Sequence, residues 1–331
     1  MREVVFLRNR KPKWDRFEME VANPTADPDT LTELYIEVSD DLAYARTFYP
    51  ESRTTGYLNN LASRAHLSVF ANRKETYSRI LRFWTHEVPR EVYGAYKPIL
   101  FCFGVLLMAV FLGLVSSAND LDYPRLILGD RYVDMTLDYV KAGNPMGVYG
   151  DSGMFEMFVR IFSNNARVAL LAFVAGLVVG LGPVGIVFNN GVMLGAFHWM
   201  QYEFGVLTVS LATVYIHGTI EILSIPIEAG AGLLLSQSIL FPGTYTRGES
   251  FKRGAKRGMK LIIGMLAFVF MAAVLESFVT RFYQTSMLMN WLIIGVSLLL
   301  MIGYFILLPL YRYRQDQASA SELTLSHPIS R

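Results

Sequence analysis

Residues 98–115 contain no charged side chain, and a run of that length covers most of a bilayer core of roughly 30 Å at about 1.5 Å per residue. It is the first of several. Comparable runs cover residues 168–188, 219–240 (with Glu221 and Glu228 inside), 261–275 and 291–310. Lipid offers backbone N–H and C=O groups no water, so such runs must fold as helices. Between the second and third runs, residues 191–215 split at Gln201 to Gly205 into two apolar pieces, 192–200 and 206–215, each too short to cross alone. They read as broken or re-entrant half-helices. The expected fold is therefore all-α: a polytopic membrane domain over residues 98–312 with about six spanning helices.

The remaining third is polar. Overall the chain is 53% hydrophobic and only 18% charged, which excludes a disordered chain and fits poorly with a soluble two-domain enzyme. In residues 1–97, Pro28 sits in a helix-starting pair with Asp27, and Leu31, Leu34, Tyr35, Val38, Leu42 and Ala45 follow at helical spacing until Tyr49-Pro50. Leu58, Leu61, Ala62, Ala65 and Val69 make a second amphipathic face, and the two should pack with Trp14 to Val21. Residues 80–96 mix aromatics with both charges, as an interfacial elbow helix does before a chain enters the bilayer. The first domain, elbow included, thus ends at 97.

Basic residues set the expected orientation. Arg247, Lys252, Arg253, Lys256, Arg257 and Lys260 cluster between runs, whereas the loop 117–163 carries Asp120, Asp122, Asp130, Asp134, Asp138, Asp151 and Glu156. By the positive-inside rule the acidic loop faces outward, and both termini are cytoplasmic in a bacterial inner membrane. The apolar stretch Val4 to Leu7 is too short for a signal peptide, and residues 313–331 read as a disordered tail. A net charge of +2 gives no reason to expect nucleic acid as a partner. The single cysteine, Cys102, excludes an intrachain disulfide and a multi-cysteine metal site.

The strongest local signal is a polar stripe inside the fourth hydrophobic block. His217, Gly218, Glu221, Ser224 and Glu228 share one helical face, extended backwards by Thr213 and Ser210. Acidic groups at bilayer depth cost roughly 2.5–3.5 kcal/mol on insertion scales, so the stripe must face protein or water. Three uses fit it: a proton or ion relay, a buried His217–Glu221 pair that locks helices together, and a metal set of His217, Glu221 and Glu228. The spacing beyond Pro226 argues against the last, so no metal and no cofactor is expected. Asn190 lies in a second polar point, where Asn189-Asn190-Gly191 signals a turn, and Asn164-Asn165 stands where it can cap the second spanning helix. Gly176 with Gly180, Gly191 with Gly195, and Gly230 with Gly232 have the small-residue spacing that lets helices approach closely in lipid, within the chain or across a homodimer. No phosphate loop, nucleophile elbow or dinucleotide fingerprint occurs.

These residues carry a resemblance. His217-Gly218-Thr219-Ile220-Glu221 with Ala229-Gly230-Ala231-Gly232, Asn164-Asn165 and Asn190-Gly191 with Gly195 are similar to the stage II sporulation protein M family; Trp14, residues 43–50 and Tyr57-Leu58-Asn59 are similar to the cytoplasmic region of its longer bacterial members. The resemblance implies a non-enzymatic membrane component, with His217, Gly218 and Glu221 at the family's signature positions. Together with the absence of catalytic motifs and the polar modules on opposite sides, it leads to the expectation of a scaffold or assembly protein, homo-oligomeric (a dimer), in contact with membrane lipid. Its outer loop would meet envelope or cell-wall enzymes and its N-terminal domain a cytoplasmic protein. The alternative is a transporter or channel-like protein in which Asn190, His217, Glu221 and Glu228 line a midplane pathway.

Overall fold

The structure is a computed structural model that describes residues 3–22, 28–71, 77–150 and 153–326. The described elements are all helical, and the chain divides into two units, 1–81 and 82–331.

In the first unit, α1 (Glu3–Ala22), α2 (Pro28–Phe48) and α3 (Arg53–Ala71) pack together, and α4 (Tyr77–Arg82) runs to the boundary. Pro28 opens α2, where a fixed φ and a missing N–H are harmless. Leu34, Val38, Leu42 and Ala45 of α2 bury their face against Leu58, Leu61 and Ala62 of α3 and against Phe6, Trp14 and Phe17 of α1. None of these helices could cover its apolar face alone. The buried Trp14 indole donates from Nε1 to Asp41 Oδ2 at 2.9 Å, so a carboxylate in the core is satisfied. Glu3 accepts hydrogen bonds from the hydroxyls of Ser52 and Thr54, tying the start of α1 to that of α3. Asp27 lies outside the described residues, and Ala65 and Val69 outside the described side chains.

The second unit begins with a π-helical turn, Phe83–Glu87, and the short α5 (Val88–Gly94). Then come α6 (Tyr96–Asn119), α7 (Tyr123–Leu128), α8 (Asp130–Lys141), α9 (Met154–Val174), α10 (Leu181–Glu203), α11 (Leu207–Leu240), α12 (Arg247–Val274), α13 (Met287–Ile302) and α14 (Leu308–Ser326). Among the described residues, five stretches are long and apolar enough to cross a membrane: Tyr96–Asn119, Met154–Val178, Leu207–Leu240, Arg247–Phe282 and Met287–Ala318. The central one is α11, with 72% of its most apolar window buried against 17% for the last span. Large apolar side chains such as Leu107 and Phe111 on α6, and Val296 and Leu299 on α13, point outward, as a lipid-facing surface requires.

Successive long helices alternate in direction, so the bundle has two chemically different ends. At one end the elbow helix α5 meets the basic start of α12: Arg257 Nε donates to Glu91 Oε2 at 2.8 Å, and Lys260 Nζ stands 2.8 Å from Glu87 Oε2. The end of the last span joins them, with Tyr93 and Tyr313 stacked at 4.0 Å and Arg90 paired to Asp316 at 2.9 Å. The acidic residues of α7 and α8 occupy the other end.

Several expectations are corrected. The elbow belongs to the membrane unit, because Val88, Val92 and Ala95 are buried in its core. Most of the expected outer loop 117–163 is helix: α6 runs to Asn119, α7 and α8 fold within the loop, and the second span already starts at Met154. Residues 191–215 hold no half-helices; the chain turns at Phe204 to Val206, but the pieces on either side are the ends of α10 and α11. Asn190 does not break α10, since its Nδ2 donates to the Ile186 carbonyl at 2.8 Å and stays within the helix. The break lies earlier, where Val179 (φ 51°) and Gly180 (φ 88°) both adopt the left-handed conformation that glycine favours. Gly180 lies in that break as the N-cap of α10. α10 is a sixth long helix, set apart from the five spans by Asn189, Asn190, His198 and Gln201. The tail read as disordered continues as helix to Ser326, supported by Arg312 on Gln315 at 2.8 Å and by the Arg90–Asp316 pair; residues 327–331 lie outside the described residues.

Candidate functional site

The glycines explain why α11 can sit at the centre. A Cβ at Gly176 would collide with the Gly232 carbonyl oxygen, and one at Gly232 with the Ala172 carbonyl oxygen, so α9 and α11 touch backbone to backbone. Ser236 Oγ crosses the same contact to the Gly176 carbonyl at 2.7 Å. Gly230 closes on Ile99 of α6, while Gly191 and Gly195 of α10 close on Leu106, Ala109 and Val110 of α6. All of these contacts are within one chain.

Above this tight zone, towards α7 and α8, the helices part around a cavity of about 450 Å³. Asn190, His217, Gly218, Glu221, Ser224 and Glu228 all line it, so the whole sequence stripe and Asn190 face one space. Ser210 and Thr213, the backward extension of that stripe, are buried outside the lining. Pro226, inside α11, has no N–H to give to the Ile222 carbonyl, and Ile222 also lines the cavity. The lining reaches from Tyr149 on the acidic side down to Glu228, where the glycine contacts begin.

The expected direct His217–Glu221 hydrogen bond does not form; each is held by another helix. Asn165, placed inside α9 and not at its start, donates from Nδ2 to Glu221 Oε1 at 2.6 Å. His217 Nδ1 lies 3.1 Å from Thr280 Oγ1, whose own hydrogen goes to the Leu275 carbonyl at 3.1 Å. Thr280 must then accept, which assigns a hydrogen to Nδ1 and turns Nε2 towards Glu276 Oε2 at 3.8 Å. Tyr149 packs edge-on to the His217 ring at 5.6 Å, its carbonyl held by Arg281. Burial, with Glu276 nearby, keeps the Tyr149 hydroxyl well above its ordinary value and so neutral.

Sequence reading missed Glu276, Thr280 and Tyr149. Glu276 ended the apolar run 261–275 and looked like a border, yet it sits in the π-helical turn Leu275–Val279. Such turns recur at functional sites, and the Glu276-Thr280 spacing was the available signal. Glu228, by contrast, is two turns from Glu221, about 10 Å along the axis, and stands apart from the His217 cluster.

The family model described as stage II sporulation protein M matches residues 99–281, more than half of the chain. A second model, described as a domain of unknown function (DUF8413), matches residues 4–71 and so coincides with the three-helix unit. No curated protein and no solved structure matches the chain.

Proposed function

Because the chain belongs to the stage II sporulation protein M family of multi-pass membrane proteins, we propose that it is a non-enzymatic scaffold that organises envelope or cell-wall partners. In this reading the basic end faces the cytoplasm, the three-helix unit binds a cytoplasmic protein, and the acidic helices α7 and α8 meet partners outside. The chain works as a homodimer in the plasma membrane.

The observation that carries this reading is the backbone-tight packing of α6, α9 and α11 below Glu228. It supports a cavity closed at its glycine end and a rigid bundle, properties suited to holding partners in place. The glycine rows are occupied by contacts within the chain, so a dimer would use another face. The test is affinity purification from native membranes with an intact chain and with charge-neutralised α8 (Asp130, Asp134 and Asp138 to Asn). The reading expects stable envelope partners that the α8 variant loses; an intact chain that returns no partner overturns it.

A second reading, transport, is favoured by the cavity itself, which reaches both Glu221 and Glu228. Intramembrane carboxylates beside a polar cavity are what a proton or ion pathway uses. It requires the glycine zone to open in turn, and it predicts flux into proteoliposomes that Glu228→Gln abolishes. Absence of flux leaves the scaffold alone.

A further inference from the structure

We infer that His217, Glu221 and Glu276 bind one divalent transition-metal ion, zinc first among them, at the top of α11. The ligand atoms of these three residues all lie within 4.8 Å of one another. Ligands at about 2.0–2.2 Å from a tetrahedral ion stand roughly 3.3 Å apart, a closing movement within reach of glutamate side-chain rotation.

Four features point to a cation. Nδ1 of His217 is committed to Thr280, so Nε2 presents its lone pair towards Glu276. That is the second-sphere arrangement that fixes a metal-binding imidazole. Glu221 is oriented in the same way by Asn165. Among the described residues nothing donates a hydrogen bond to the Glu276 carboxylate, although its side chain is only 16% exposed. Finally, a divalent ion balances the two charges that Glu221 and Glu276 carry when ionised, at a membrane depth where Arg160 is the cation that acts on Glu276. Three protein ligands with a fourth position towards a 450 Å³ cavity leave room for water or for a donor from a partner. The set differs from the one spacing suggested: Glu276 takes the place assigned to Glu228, because tertiary packing brings the π-helical turn after α12 to His217.

The inference does not depend on the scaffold reading, and its experiment does not use partners. The full chain, carrying an affinity tag without histidine, is purified in detergent and its metal content measured by mass spectrometry. Occupancy near one ion per chain is expected, falling at least tenfold in His217→Gln and Glu276→Gln and unchanged in Glu228→Gln. A second readout covers variants that fail to fold: chelator should lower the melting temperature of the unmodified chain, and zinc chloride should restore it. The inference is overturned if the unmodified chain is metal-free and zinc chloride leaves its melting temperature unmoved. It is equally overturned if Glu276→Gln retains the metal, or if Glu228→Gln loses it as fully as His217→Gln.

Discussion

Asn165 of α9 donates a 2.6 Å hydrogen bond to Glu221 of α11, 56 residues away in the chain. The contact joins two residues whose local sequence suggested other roles, a helix cap and a partner for His217. It also fixes the direction of a carboxylate that would otherwise be costly inside the bundle.

Removing that donor should cost more than its size suggests. Asn165→Ala is expected to destabilise the bundle by about 1–3 kcal/mol, since Glu221 loses its donor while remaining buried. Asn164→Ala, at an exposed neighbour, should stay within about 0.5 kcal/mol. Thermal unfolding of both variants in detergent checks the difference, and equal losses would count against the assigned role of Asn165.

The glycine contacts make a steric prediction. Gly232→Ala forces a methyl group into the Ala172 carbonyl and towards Pro183, whereas Gly185→Ala meets open space. Overpacking of this kind costs about 1–3 kcal/mol, and in a membrane bundle it should appear as lost abundance. Membrane-fraction levels of the two variants, expressed side by side, report it; Gly185→Ala should match the unmodified chain.

In the three-helix unit the hydroxyls of Ser52 and Thr54 hold the Glu3 carboxyl below its ordinary value of 4.5. A depressed carboxyl stabilises the fold above its unfolded pKa, and the contribution disappears as pH falls through the folded one. Glu3→Gln should therefore lower the melting temperature at neutral pH and converge with the unmodified chain in acid. A difference that grows on acidification would contradict the hydrogen-bonded geometry.

Orientation can be read with single cysteines, because Cys102 is the only one in the chain and is buried. Asp130→Cys on α8 and Lys256→Cys on α12 are both exposed and lie at opposite ends of the bundle. On intact cells a membrane-impermeant maleimide should label the first and spare the second. The reverse pattern would turn the proposed topology over.

Much of the architecture was legible along the chain. The start of α2 at Pro28, its end before Tyr49-Pro50, the elbow before α6 and the turn after Glu203 follow from local signals: proline, aromatic and charged punctuation, and apolar length. Other boundaries were not. Asn189-Asn190-Gly191 has turn chemistry but stays helical, because Asn190 bonds within α10 and Gly191 seats against α6. The true break, at Val179 and Gly180, is held by a valine that local preference would place in a strand or a helix.

The same division holds at the cavity. Helical periodicity alone determined that His217, Gly218, Glu221, Ser224 and Glu228 share a face, and the cost of burying charge in lipid determined that this face turns inward. Which groups meet it was decided only in three dimensions: Asn165, Thr280 and Glu276 arrive from α9 and from the turns that follow α12, at separations no local pattern encodes. A helix fixes neighbours three and four residues away, but partners across a bundle depend on how closely backbones approach. Here Gly176, just after α9, and the glycines of α10 and α11 set that distance.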